Sequence, residues 1–178
     1  MMNSPCGVGS PIAAPSTSAV KPSGFGVPET RRLAISSLDC EARSLRQSEE
    51  RVELDAFLER MACRAFDDGV ADCGLVLADW VMTVRGCDDP AAHLRGQYRT
   101  LRGRVRLLRR LGEMEAVVTD CADRAGLQKT ANPVRGDVGV IEKSGQLYGG
   151  ICLGQRWALQ GDGLVTWVPD RIICAWSV

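Results

Sequence analysis

Ala71-Asp72-Cys73-Gly74-Leu75-Val76-Leu77-Ala78-Asp79-Trp80-Val81 is the stretch on which the fold reading turns. Asp72 is a strong N-cap, because its carboxylate can accept from the free backbone N–H groups of a first helical turn. Leu75, Val76, Asp79 and Trp80 recur at helical spacing, with Val76 and Trp80 on one stripe. Cys73 therefore falls in the opening turn of a helix, where the positive end of the helix dipole favours thiolate over thiol. A nucleophilic cysteine uses that setting. A small apolar residue packed on a sheet does not need it, and both readings of Cys73 stand at this point.

Outward from that stretch, Leu54, Phe57, Leu58 and Met61 mark the apolar face of an amphipathic helix over residues 51–63. A turn-rich link over 66–71 leads to the Cys73 helix, which stops at Gly86. Asp89 followed by Pro90 predicts a fresh short helix carrying His93. Thr100 caps a helix over 101–111, with Val105, Leu108 and Leu111 facing the core. After Gly112 a further helix spans 113–125, with Met114, Val117, Val118 and Cys121 inward. Beyond Gly126 the pattern changes to short β-rich runs at 134–141, 147–153, 155–160, 164–168 and 172–178, with Gly161-Asp162-Gly163 as a hairpin turn. Helices first and strands second predict an α+β fold: N-terminal helices followed by a small antiparallel sheet. Residues 1–30, rich in Pro, Ser, Gly and Ala, read as a disordered tail. Residues 31–47 read as a charged transition segment, and 48–178 as a single domain.

Charge and cysteine usage exclude several functions. Lys+Arg and Asp+Glu are both 22, so no global field draws the chain to nucleic acid or anionic lipid. Eight cysteines without a C-x-x-C pair, beside a single histidine, give no zinc-finger pattern. No metal and no cofactor is expected. With 178 residues, 45% of them hydrophobic, the chain can build a core without disulfides, and reduced, mostly buried thiols are expected. The first residues lack the basic start and apolar run of a signal peptide, so a cytoplasmic location is expected. Asp79 and Arg85 interrupt the best apolar run, so no membrane span is expected.

The candidate functional residues are few. His93 is the one histidine available as a base for Cys73, and its simpler reading is a surface residue. Arg95, Arg99, Arg102, Arg104, Arg106, Arg109 and Arg110 form a dense basic run with no aromatic platform beyond Tyr98. That favours a solvated helix face or a docking surface for an acidic protein over a nucleic-acid site. Gly149-Gly150 inside a strand marks a close approach of another element or simple packing. If the Cys73 helix is that element, Tyr148 stands beside Cys73.

These pieces follow one another as Asp72-Cys73 opening a helix, then Arg135-Gly136-Asp137-Val138, then Tyr148-Gly149-Gly150-Ile151-Cys152-Leu153-Gly154. The layout resembles the NlpC-type cell-wall peptidases, a compact papain-like family. It more closely resembles a family of bacteriophage and prophage proteins related to that fold and encoded among tail genes. Phe66 through Trp80, Arg95-Gly96-Gln97-Tyr98-Arg99-Thr100, Arg135-Gly136-Asp137-Val138 and the Trp167–Trp176 ending carry the second likeness. The resemblance implies a papain-like fold with Cys73 at the nucleophile position and Tyr148 at the position of the histidine base. A tyrosine with an ordinary pKa near 10 is a poor base at neutral pH. Trp157 and Gln160 fall in the region of the third, orienting residue, and only Gln160 has suitable chemistry. The implied role is a structural or tail-assembly protein with a degenerate cysteine site and protein partners in a phage-tail-like particle. The alternative is an active cysteine hydrolase of peptidoglycan peptide or amide bonds, with His93 or a partner's residue as base.

Overall fold

The computed structural model describes residues 37–178, with side chains described at Glu49 and from residue 51 onward. The expected tail, residues 1–30, and the start of the 31–47 transition lie outside the described residues. The rest of that transition is helical and continues into α1 (Ser37–Ala62). Leu54, Phe57, Leu58 and Met61 are buried, as their spacing requires. Next come α2 (Leu75–Arg85), α3 (Leu101–Leu111) and α4 (Glu113–Arg124). The strands are β1 (Gln128–Lys129), β2 (Val138–Lys143), β3 (Gln146–Cys152), β4 (Trp157–Gly161), β5 (Gly163–Trp167) and β6 (Arg171–Ser177). They form one sheet in the order β1-β6-β2-β3-β4-β5 with every neighbouring pair antiparallel. The architecture is α+β, helices first.

Strand alternation sorts the sheet into two faces. Val138, Val140, Ile151, Ala158, Cys174 and Trp176 share the main core with residues of α1, α2 and α4. Ile141, Cys152, Trp157, Leu159 and Ala175 form a second cluster on the opposite face, with Tyr148 and Trp167 packed against it. Glycines serve both faces. Gly139 and Gly150 make room for the Trp157 ring on the outer face. Gly149 lies on the inner face, where an added methyl would sit 2.3 Å from the Cys73 carbonyl oxygen. Of the two expectations for the glycine pair, the close approach of the Cys73 helix holds at Gly149.

Two local expectations are corrected, and one strand was not foreseen. No helix forms after Asp89-Pro90; residues 90–96 make successive turns. Asp89 does accept from the Ala91 N–H at 2.9 Å. The chain then bends at Gly96 (φ 72°), whose N–H leaves for the Gly69 carbonyl at 3.0 Å, and helical pairing cannot continue. In α3 only Leu107 is buried, while Val105 and Leu111 are 37% and 41% exposed. Periodicity showed an apolar stripe there, but the fold covers only one edge of it. Finally, β1 had no sequence signal, because its two residues are defined by pairing with Trp176 and Ser177 alone.

Candidate functional site

The site is organised by Asp72, 1% exposed. Its Oδ1 accepts from the Gly74 and Leu75 N–H groups, each at 3.0 Å, and its carbonyl accepts from the Val76 N–H at 3.0 Å. Regular helix begins at Leu75, yet these bonds make Asp72 the capping residue. Its Oδ2 accepts from the Gly69 N–H at 3.1 Å and from the Tyr98 hydroxyl at 2.5 Å. Four donors thus satisfy one buried carboxylate. Burial and that bond hold the Tyr98 phenol far above its usual titration range, so it stays a donor.

Cys73 follows at the mouth of α2, half-buried, with its backbone pressed on Gly149. Burial, the largest influence, pushes its thiol up from the ordinary value. The Gly149 N–H and the Arg104 guanidinium pull the other way, and the Asp72 carboxylate adds to the rise. Loss of solvation thus opposes the thiolate that the head of a helix would otherwise favour. Cys73 opens onto a cleft of about 450 Å³ between α3, α4 and the β3–β5 end of the sheet. The walls are mostly apolar, with Arg104 as a cation beside Asp68, 3.0 Å away, and stacked over Phe66.

The other expected site residues find hydrogen-bond or ion-pair partners other than the sulfur. Tyr148 lines part of the same cleft but projects from the outer face of β3. There its hydroxyl donates to Gln146 Oε1 at 2.9 Å and its ring meets Trp167 edge-on at 4.9 Å. The residue of that strand which meets Cys73 is Gly149. His93 is exposed, with Nε2 3.2 Å from Asp120 Oδ2, and it is not among the residues lining the Cys73 cleft. Gln160 is 3% exposed and does lie on the Cys73 side of the sheet. Its Nε2 donates to the Arg64 carbonyl at 2.7 Å and to the Gly161 carbonyl at 3.0 Å, so it anchors the end of α1. Trp157 is buried on the outer face.

Tyr98 and Arg104 are the polar residues nearest the chemistry that sequence reading did not single out. Tyr98 stood out only as the aromatic within a basic run and as part of the Arg95–Thr100 likeness, and its partner lies 26 residues away. Residues 46–178 match the family described as Domain of unknown function (DUF6950). The chain belongs to that family. No curated protein and no solved structure matches it. Within the DUF6950 domain of this chain, His93, Asp120 and Cys121 each bring one metal-ligating atom within 4.8 Å of the others. Asp120 there also accepts from Arg124 Nε at 2.7 Å, and burial pushes the Cys121 thiol up to about 11. The six cysteines whose side chains are described, Cys63, Cys73, Cys87, Cys121, Cys152 and Cys174, are all unpaired. Among the described residues no helix is long and apolar enough to cross a membrane.

Proposed function

We propose that this chain works by binding and not by hydrolysis, as a structural or assembly component of a phage- or prophage-type tail module whose papain-like cysteine site is degenerate. One observation carries the binding part: a cysteine at the head of α2 with the Gly149 backbone, and no imidazole, against it, the one histidine being paired with Asp120 and burial opposing ionisation of the thiol. Cysteine attack on an amide needs a thiolate and a proton donor for the leaving amine. Tyr98, the nearest hydroxyl group on the capping carboxylate, is held protonated and already donates to Asp72. The tail-module part rests on the sequence resemblance alone. The cleft is retained in this reading as a recess for a partner's side chains.

The test is to incubate the full chain and a Cys73→Ala variant with a peptidoglycan-derived peptide, and to follow assembly in a particle system. No cleavage dependent on Cys73 and unimpaired assembly by the variant are expected. Turnover by the parent that disappears in Cys73→Ala would overturn the reading. The hydrolase alternative draws on the Gly149 N–H and the Arg104 charge, which both favour the ionised sulfur. They are outweighed by burial.

A further inference from the structure

We infer that the cleft flanked by α3 takes an acidic amphipathic segment of a partner protein, apolar side inward and carboxylates toward the arginines. This rests on the binding reading above and adds the chemistry of the partner. Leu101, Val105 and Leu108 stand at i, i+4 and i+7 on one stripe of α3, and all three line the cleft. Leu101 and Val105 are 59% and 37% exposed, an apolar edge that the fold itself leaves open. Leu147, Val165 and Trp167 add further apolar side chains to the lining.

The charge around that edge is one-sided. Arg102 and Arg109 border the stripe on the helix surface, with Arg106 and Arg110 one step further round. Together with Arg99 these five are exposed and have no ion-pair partner among the described residues. In a chain of zero net charge this is a local excess of positive charge. Arg104, in contrast, turns into the cleft and already has Asp68. An interface of this kind places a few apolar anchors in a recess and a complementary charged rim around them. A bilayer would need the apolar residues to protrude, and here they line a recess. A nucleic acid would need an aromatic platform among the arginines, whereas the Tyr98 hydroxyl is tied down by Asp72.

The experiment uses the full chain and a fluorescein-labelled synthetic helix with leucines on one face and glutamates on the other. Its counterpart carries lysines in place of the glutamates. Anisotropy titrations at low and high salt give the affinities. The acidic peptide should bind, weaken as salt rises, and lose about tenfold in affinity with Arg102→Glu/Arg109→Glu. Leu101→Asn, at an exposed position, should weaken binding without touching the charges, and circular dichroism checks that both variants fold. Equal binding of the two peptides, or of neither, would overturn the inference. So would tighter retention on duplex DNA or phosphatidylglycerol vesicles, or self-association that buries α3. Cys73→Ala should bind the acidic peptide like the parent, so a failure here is separate from discovery of Cys73-dependent cleavage.

Discussion

Replacing Gly149 by alanine isolates the contact that seats the Cys73 helix on the sheet. The added methyl would lie 2.3 Å from the Cys73 carbonyl oxygen and 3.0 Å from Leu77 Cδ1. The first of these is roughly 1 Å or more short of van der Waals contact. The obstacle is backbone at the head of a capped helix, so relief requires α2 to lift from β3. Overpacking of this kind costs about 1–3 kcal/mol, occasionally more. Gly149 is not in the left-handed region, so alanine carries no backbone strain, and the stiffer unfolded chain returns about 0.4–1 kcal/mol. A net loss of about 1–2 kcal/mol is expected in urea denaturation followed by tryptophan fluorescence. Gly150→Ala is the control, because its methyl would come no nearer than 3.3 Å to Ala158 O and 3.4 Å to Trp157 Cε3. It should stay within about 1 kcal/mol of the parent. A Gly149→Ala protein no less stable than Gly150→Ala would refute the reasoning.

Two further outcomes follow from the same framework. Asp72→Asn keeps one accepting oxygen but sets an NH2 where Oδ2 took the Gly69 and Tyr98 donors, and should cost about 2–4 kcal/mol, while Tyr98→Phe, which removes one donor, should cost about 1–2, both read by chemical denaturation. At Asp89 burial alone would raise the carboxyl, but the Arg95 side chain and the Ala91 N–H outweigh it and hold it below its ordinary value. Its contribution is therefore present above the unfolded value of about 3.9 and lost as pH falls through the lower folded value. Asp89→Asn should be less stable than the parent by about 1 kcal/mol at neutral pH, and the difference should close as acid denaturation curves run below about pH 4.

What the sequence disclosed was local. The stripe of Leu54, Phe57, Leu58 and Met61 and the Asp72 cap are short-range patterns, and they fold as read. Gly149 was legible as a close approach because a glycine inside a strand leaves space that something must fill. The misreadings all involve distant partners. Tyr148 and Gly149 are adjacent, and a one-residue difference in a strand exchanges faces, so it is Gly149 that the Cys73 backbone meets, while Tyr148 lines the same cleft and bonds Gln146. The thiol of Cys73 was read from the dipole of its own helix, while its titration is governed by the elements that bury it. Val105 and Leu111 belong to a genuine apolar stripe, but periodicity does not say how much of a stripe the rest of the chain will cover. The Asp72–Tyr98 bond joins positions with no shared pattern.

The binding reading is tested most directly by the rate of Cys73 alkylation with iodoacetamide as a function of pH, resolved site by site by mass spectrometry. Exposed Cys63 should label ahead of Cys73, and the Cys73 rate should still be rising above the ordinary thiol value of about 8.5, unchanged by His93→Ala. A Cys73 that labels first and reaches its plateau below about pH 7 would contradict the account and restore an ionised nucleophile to this site.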